Sequence, residues 1–347
     1  MKKYMINCLI AFIVTLPIVP AIIWLVDPFT YFHFPAWHKP TYFNGWQRFQ
    51  NIGIALNYDY DSVIIGTSMA ENFSTTQIDK ILRWKTVNLS ISGSSSYEQR
   101  RLLDLAIKTG KVKNVLWLVQ YDSFAHPVKF IREDAIYPEG FYEGNRIIFF
   151  QHYLLNNKML EHSVNVFFEN NHDMDTAWNL SKTSKFGCTS IKNSYNNTSH
   201  DVAVSKALKE GEIVSDEQAL AINVQQNLSD IVKRNPNIKF YLIIPPYSKW
   251  SYQSSLEKHG YAPMEAVLNF RKNVARQLAE YTNTTLSDYQ SDKRVILDSN
   301  NYKDLTHFSP LVNAMMVNEI GRSVFLPMQS DSRFLSIINL HGNCLDG

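Results

Sequence analysis

Residues 61–73, DSVIIGTSMAENF, combine a predicted buried strand with a serine just beyond it. The apolar run at 63–65 predicts a strand that ends at Gly66, and Ser68 comes two residues later. In parallel sheets, ligands bind at the carboxyl ends of the strands. Two interpretations follow: Ser68 is a nucleophile on a strand-to-helix turn, or it is an ordinary turn residue.

Strand-like and helix-like segments alternate from residue 61 onward. The predicted strands cover residues 61–66, 86–91, 114–121, 238–246 and 284–289, with helical patterns between them and after the last. This alternation predicts a parallel sheet covered by helices on both faces, a three-layer α/β/α domain over residues 61–327. Residues 123–214 break the rhythm and predict an insertion over the site, with a polar loop at 183–201. Residues 328–347 form a predicted C-terminal tail.

The N-terminus carries an uncharged apolar segment. Lys2 and Lys3 precede residues 5–26, which contain no charge, and Asp27 follows. That length predicts one transmembrane helix, and the lysines predict a cytoplasmic N-terminus with the rest of the chain outside. The alternative is a cleaved signal peptide, and both interpretations export the domain.

The predicted layout is thus an anchor or signal segment at 1–27 and a juxtamembrane linker at 28–60. We expect a single-pass protein of a bacterial inner membrane with a periplasmic domain. In that oxidising space Cys188 and Cys344 could pair, although their spacing does not argue for it. Cys8 lies in the anchor.

Composition and motifs exclude several function classes. The net charge of +2 gives no overall field to attract nucleic acid. The sequence has no Walker-type loop, no dinucleotide fingerprint and no metal-binding cysteine cluster. We therefore expect no cofactor, no metal and no nucleic-acid partner.

A histidine that could act as a base for Ser68 lies near the C-terminus. Asp304 and His307 are three residues apart, just before a predicted helix. This spacing lets a carboxylate fix the imidazole tautomer while the other ring nitrogen faces the serine. The alternative is that both are ordinary surface residues.

Two further predicted strand ends carry candidate residues. Gly93, after the second strand, can bring its backbone close to a ligand and offer an N–H to an oxyanion, or it can be a plain turn residue. Tyr247, Ser248 and Trp250, after the fourth strand, could line a sugar or acyl site. Packing in the core is an equally good interpretation of the aromatic pair.

Together these motifs resemble the SGNH (GDSL-like) hydrolase superfamily. GTSMAENF at 66–73 is similar to its nucleophile block, SGSSS at 92–96 to its glycine block and DLTHFSP at 304–310 to its Asp-x-x-His block. The resemblance implies a flavodoxin-like fold, Ser68 as nucleophile, His307 as base and Asp304 as its orienting carboxylate. It also implies the N–H groups of Ser68 and Gly93 as oxyanion donors.

The sequence departs from this family in two blocks. Thr67 stands where many members have aspartate. The third block normally reads Gly-x-Asn-Asp, and its asparagine donates to the oxyanion. Here the third strand ends in LVQYDSF, where Gln120 could donate and an ionised Asp122 could not.

The anchored layout is similar to SGNH-like proteins that act beside membrane-bound O-acyltransferases in alginate acetylation and teichoic-acid D-alanylation. This resemblance implies an exported serine esterase or O-acyltransferase that acts on an acylated cell-envelope glycan or a small acyl ester. One alternative is a non-catalytic module that binds a glycan or a membrane-bound O-acyltransferase. Another is a structural envelope protein whose triad-like residues are accidental.

Overall fold

A computed structural model describes residues 17–132, 137–142, 145–169, 172–177, 184–196, 216–339 and 344 of the 347-residue chain. These residues form two compact units. Unit 1 comprises the described parts of 1–58 and 134–177, and unit 2 comprises those of 59–133 and 178–347.

The strands and helices of the described residues have the following bounds. The strands are β1 (Ser62–Ile65), β2 (Thr86–Asn88), β3 (Asn114–Leu118), β4 (Lys239–Ile244) and β5 (Thr284–Asp288). The helices are α1 (Ile18–Val26), α2 (Gln47–Asn57), α3 (Ser68–Glu71), α4 (Thr75–Leu82), α5 (Ser96–Lys108), α6 (Tyr121–Phe124), α7 (Glu139–Tyr142), α8 (Arg146–Leu154), α9 (Asn157–Asn165), α10 (Met174–Ala177), α11 (Cys188–Asn196), α12 (Glu217–Val224), α13 (Asp230–Arg234), α14 (Lys249–His259), α15 (Ala262–Leu278), α16 (Lys293–Ile296), α17 (Pro310–Gly321) and α18 (Asp331–Ile338). A π-helical turn, Gln225–Ser229, joins α12 to α13, and a 3₁₀ turn, Ser299–Asn301, follows α16.

Unit 2 is built on a five-stranded sheet in the order β2-β1-β3-β4-β5, and all neighbouring strands are parallel. Val63 of β1 is in register with Val87 of β2 and Val115 of β3, so β1 lies inside the sheet. All four β1 residues are buried, because helices flank the sheet, and this explains their apolar run. The predicted parallel α/β sheet is confirmed.

The strand order reverses at β1, because the chain places β2 on one side of β1 and then places β3 on the other side. In open α/β sheets this switch point is where a crevice opens at the carboxyl ends of the strands. The loop after β1, which carries Ser68, therefore lies at the place in the fold most suited to a site.

Unit 1 is organised around the turn that ends α1. Asp27 is buried, and its carboxylate accepts hydrogen bonds from the backbone N–H groups of Tyr31, Phe32 and His33 and from the Tyr153 hydroxyl. These bonds stabilise the turn and tie it to α8. Burial raises the pKa of Asp27, although the same hydrogen bonds oppose the rise.

The segment predicted as a juxtamembrane linker, 28–60, contains regular structure in unit 1. It contains α2, which lies so close to the backbone of Phe29 that a Cβ on Gly53 would be 1.8 Å from the Phe29 carbonyl oxygen. Aromatic packing accounts for this order: Phe29 is fully buried and its ring lies 5.8 Å from that of Phe43.

The predicted membrane span falls only partly on described residues. Residues 5–16 lie outside them, and α1 covers the remainder from Ile18 to Val26. Among the described residues, no helix is both long enough and apolar enough to cross a bilayer.

Candidate functional site

Ser68 is the first residue of α3, and the turn that places it is tightly packed. A Cβ on Gly66 would lie 2.8 Å from the Ala70 Cβ, so the turn needs a glycine here. Thr67 caps α3, since its hydroxyl accepts a hydrogen bond from the Met69 N–H over 3.4 Å. The first N–H groups of a helix have no acceptor within it. The Ser68 hydroxyl and N–H therefore both lie at the carboxyl edge of the sheet.

The structure brings Ser68 together with His307 and Asp304. Ser68 Oγ lies 2.9 Å from His307 Nε2, although 239 residues separate them in the chain. His307 Nδ1 lies 2.8 Å from Asp304 Oδ2. The side chains of His307 and Asp304 keep 25% and 30% of their surface exposed, so the site is open to a ligand. A serine, a histidine and a carboxylate in this chain of contacts can activate the serine hydroxyl for attack on an acyl carbonyl.

The loop that carries Asp304 and His307 is closed on itself. Tyr302 and Phe308 form an antiparallel bridge, and the Lys303 N–H donates to the His307 carbonyl oxygen. Asp304 Oδ1 accepts from the N–H of Thr306 over 2.9 Å and from the N–H of His307 over 2.7 Å. One carboxylate oxygen thus shapes the backbone turn, which leaves the other to hold the imidazole.

The surroundings of Asp304 keep it ionised. Partial burial would raise the pKa of this carboxyl, but the His307 side chain and the N–H groups of His307 and Thr306 outweigh burial and lower the pKa to about 2. Asp304 is therefore an anion at neutral pH, and it can accept a hydrogen bond from His307 Nδ1.

Ser248 ties β4 to the same loop. Its hydroxyl donates to the Leu305 carbonyl oxygen over 2.7 Å, and it also caps α14 by accepting from the Ser251 N–H. Tyr247, Ser248 and Trp250 are all buried. In the structure these three residues make internal contacts, and their predicted role in binding substrate stays a prediction.

The loop after β2 lies beside the nucleophile turn. The Ile91 N–H donates to the Gly66 carbonyl oxygen over 2.9 Å, and Gly93 has a φ of +60°, which favours glycine. Arg132 donates to the Gly93 carbonyl oxygen over 3.4 Å. Within the part of the chain that the structure describes, the N–H groups of Ser68 and Gly93 have no hydrogen-bond acceptor. Both are available for an oxyanion.

The side chain of Gln120 contacts that of Thr67. The Thr67 hydroxyl donates to Gln120 Oε1 over 2.8 Å. The Tyr247 hydroxyl lies close to Gln120 and donates to Asp122 Oδ2 over 2.9 Å. Burial, and then the charge of Asp122, raise the pKa of Tyr247 well above its ordinary value, so it stays a hydroxyl.

Glu71 ends the short helix that Ser68 begins, and it is not among the residues predicted for the site. Glu71 is buried, and burial raises its pKa to about 7, although the charge of Lys303 opposes the rise. The sequence carries a signal of this burial, because Glu71 lies in an otherwise mainly apolar stretch, between Ala70 on one side and Asn72 and Phe73 on the other. Charged residues are almost never fully buried unless they are paired.

A polar pocket of about 430 Å³, which the sequence does not predict, lies beside Asp304. It is lined by hydroxyl, amide and ammonium groups from α11, the segment before it and the loop of Asp304: Ser184, Lys185, Ser190, Asn193, Ser194, Lys303 and Asp304. The polar loop predicted at 183–201 is wrong in part, because residues 188–196 form α11. Ile191 is fully buried and anchors this helix, which its mainly polar sequence does not indicate.

A disulfide between Cys188 and Cys344 holds the start of α11, with 5.0 Å between the two Cα atoms. The sequence left this pairing open. The bond fixes the wall of the polar pocket to the C-terminal residues. In the described ranges no group of three or more His, Cys, Asp or Glu side chains is placed to hold a metal ion.

Comparisons with known proteins give little further information. No protein-family model matches the chain, and no curated protein matches it. Among solved structures, the chain is similar to one from Streptococcus pneumonia described as "a putative platelet activating factor", with a TM-score of 0.42 and 10% sequence identity. That match covers 80% of this chain and 89% of the other. At this level of similarity the comparison identifies no family for the chain.

Proposed function

We propose that this protein is an exported, membrane-anchored serine esterase or O-acyltransferase of the SGNH type, acting on an acylated cell-envelope glycan. One observation carries the proposal. Ser68 Oγ, His307 Nε2, His307 Nδ1 and Asp304 Oδ2 form a chain of contacts of 2.9 and 2.8 Å at the switch point of a parallel sheet. Ser68 and His307 are 239 residues apart, so the fold brings them together and not their local sequence.

In the first half of the reaction the acyl group moves to the enzyme. Ser68 Oγ attacks the acyl carbonyl carbon while His307 Nε2 takes the hydroxyl proton. The oxyanion of the tetrahedral intermediate accepts hydrogen bonds from the N–H groups of Ser68 and Gly93, with the Gln120 amide as a third donor. Collapse breaks the bond to the leaving alcohol, which receives the proton from His307 and departs.

In the second half the acyl group leaves the enzyme. Water, or a hydroxyl group of a second glycan, gives its proton to His307 Nε2 and attacks the Ser68 ester. Collapse of this second intermediate releases an acid or a new ester and restores the Ser68 hydroxyl with the proton held by His307. Asp304 remains ionised throughout and stabilises the imidazolium that forms in each half.

The polar pocket beside Asp304 supports a glycan substrate. Its hydroxyl and amide groups can bind sugar hydroxyls, and the ammonium groups of Lys185 and Lys303 can bind an anionic substituent. A small acyl ester alone would leave these groups in water. A membrane-bound O-acyltransferase is the partner that would supply or receive the acyl group.

Two observations support export and anchoring. A disulfide such as Cys188–Cys344 persists in an oxidising compartment and is rare in the cytosol. Residues 5–26 carry no charge, and α1 exposes Ile18, Trp24 and Leu25 at its surface. We place the N-terminus in the cytoplasm and both units beyond the inner membrane of a bacterium.

A second candidate function is a non-catalytic module that binds a glycan or a membrane acyltransferase. The observation in its favour is the pair of departures from the SGNH pattern, Thr67 and Gln120, which contact each other. Here the polar pocket would bind the glycan, and the contact between Ser68 and His307 would have no chemical role.

The test is labelling of the purified full-length chain with a fluorophosphonate probe, beside the variants Ser68→Ala and His307→Ala. The matched control is Ser92→Ala, which removes an exposed serine from the same loop as Gly93. We expect wild-type and Ser92→Ala protein to be labelled and the other two variants to be unlabelled but folded. A folded wild-type chain that takes no label would contradict the enzyme and favour the binding module.

A further inference from the structure

The exposed apolar side chains of this protein are concentrated in unit 1. Of the sixteen large apolar side chains that are exposed in the described residues, eleven belong to unit 1, although unit 1 is much the smaller unit. Single exposed apolar residues are normal at a protein surface, but a contiguous group marks an interaction site. The distribution therefore raises the question of what covers unit 1.

Five of these residues form what we call the aromatic patch: Trp24, Leu25, Trp37, Phe167 and Phe168, each exposed over half or more of its surface. Trp37 connects them, because its ring nitrogen donates to the Leu25 carbonyl oxygen over 3.2 Å and its ring lies 5.5 Å from that of Phe167. Leu25, Trp37 and Phe167 thus form one surface at the C-terminal end of α1, and Trp24 and Phe168 adjoin Leu25 and Phe167 in the chain.

The backbone and charges around the aromatic patch are satisfied within unit 1. His38 Nε2 lies 2.8 Å from the Val26 carbonyl oxygen, so two of the last carbonyl groups of α1 have side-chain partners. Asp27, the first carboxylate after the apolar segment, is only 1% exposed. Because the aromatic rings are exposed and the carboxylate of Asp27 is buried, this surface is mainly apolar.

We infer that the aromatic patch lies in the headgroup layer of the lipid bilayer from which α1 emerges. The chain before α1 supports this occupant, because residues 5–16 continue the apolar segment without a charge up to the start of the described chain. Trp and other amphipathic aromatic side chains are enriched where protein segments cross from lipid to water. The patch lies at the end of α1 at which such a crossing is expected.

The inference assigns a role to α9 and the turn after it. Phe167 and Phe168 lie in the turn just after α9, in the segment that the sequence predicts to be an insertion over the site. In this proposal the turn is a second contact with the bilayer, beside α1. Unit 1 then fixes its orientation on the membrane by two separate stretches of chain.

This inference rests on the proposed membrane attachment, so the experiment must separate the two. The full chain with Cys8→Ser is reconstituted into liposomes of phosphatidylethanolamine and phosphatidylglycerol. An environment-sensitive dye is attached at Phe168→Cys or, as the control, at Leu311→Cys. Phe168 and Leu311 are both 78% exposed, and Leu311 lies on α17 in unit 2, so exposure alone cannot distinguish the two positions.

At position 168 we expect the dye emission to move to shorter wavelength and to lose most of its intensity when spin-labelled lipid is included. At position 311 neither change is expected. Far-UV circular dichroism and urea unfolding show whether both variants fold, independently of any enzymatic activity.

Three results would overturn the inference, and each is distinct. If the chain floats with the liposomes while both dyes remain in water, attachment stands and the aromatic patch does not contact lipid. If the dye at 168 shifts without quenching by lipid, a protein or a second copy covers the patch. If the chain does not float at all, the membrane attachment itself fails.

Discussion

The Thr67 hydroxyl donates a hydrogen bond to Gln120 Oε1 over 2.8 Å, and this contact joins the two positions at which the sequence departs from the SGNH pattern. Thr67 precedes Ser68, and Gln120 follows β3. Because Thr67 has one hydroxyl proton, its bond to Oε1 fixes which side of the amide carries the oxygen. The amide nitrogen of Gln120 is then the group that remains to donate.

This contact predicts that Thr67 and Gln120 act as a unit. We expect Gln120→Leu to lower kcat by on the order of 10²-fold, the size of effect seen when one oxyanion donor is lost. Thr67→Val should lower kcat less, and the double variant should be no worse than Gln120→Leu alone. A double-mutant cycle of kcat on a chromogenic acyl ester measures this. Multiplicative effects of the two substitutions would show that they act independently.

Asp304 should affect catalysis far more than stability. In Asp304→Asn the His307 ring loses the acceptor that fixes its tautomer, and we expect kcat to fall by on the order of 10³–10⁴-fold. The matched control is Asp298→Asn, which alters another turn carboxylate of the same region, one that accepts from the Asn300 N–H. Its kcat should be unchanged. Equal losses in both variants would mean that the loop, and not the carboxylate, is responsible.

The same residue predicts a pH effect on folding at acid pH. The pKa of Asp304 is about 2 in the folded protein, below the ordinary 3.8. A carboxyl whose pKa is lower in the folded state stabilises the protein at pH values above its ordinary pKa. This stabilisation is lost as the pH falls towards 2. Urea unfolding of wild type and Asp304→Asn should therefore converge between pH 4 and about pH 2. Parallel curves across that range would contradict this linkage.

The sheet could be predicted from the sequence, whereas the surroundings of the site could not. The inner strands β1 and β3 are short, largely apolar runs, and burial on both faces dictates such runs, so that these segments are strands is visible locally. The meeting of Ser68 with His307 depends on which strand ends are neighbours, which a motif suggests and only the fold determines. Their chemical roles stay predictions.

The polar pocket shows why tertiary contacts escape sequence patterns. Residues 188–196 have mainly polar side chains, yet they form α11, in which Ile191 is buried and Cys188 is bonded to Cys344. Neither contact leaves a local signature, since the two cysteines are 156 residues apart.

The Cys188–Cys344 bond should support both stability and substrate binding. Because a disulfide restricts the unfolded chain, we expect Cys188→Ser with Cys344→Ser to lower the free energy of unfolding by about 2–4 kcal/mol. Since α11 lines the polar pocket, KM for an acylated oligosaccharide should rise, while kcat on a small acyl ester stays unchanged. Kinetics on the two substrates measure the difference, with Cys8→Ser as the control. An equal loss on both substrates would show that the bond supports the whole fold and not the pocket.

His162 predicts a pH-dependent weakness in unit 1. Its ring lies 5.4 Å from that of Phe29, 4.4 Å from that of Phe43 and 4.8 Å from that of Trp46. Both ring nitrogens are buried, and within the described ranges neither has a hydrogen-bond partner. Burial lowers the pKa of His162 below its ordinary 6.5, because the charged form would lose its hydration.

A lowered histidine pKa means that the unfolded chain binds the proton more readily than the folded one. Below pH 6.5 the free energy of unfolding should therefore fall with pH, by at most about 1.4 kcal/mol per pH unit from this group. His162→Leu removes that dependence and should be the more stable protein at pH 5.5. Urea unfolding from pH 7.5 to 5.5 measures it, and His152→Gln, which changes an exposed histidine of α8, should keep the wild-type slope. Comparison with the wild type cancels the contributions of Asp27 and the other histidines. If His162→Leu keeps the wild-type slope, protonation of His162 does not destabilise the folded protein. The faces of the surrounding aromatic rings would then stabilise the imidazolium.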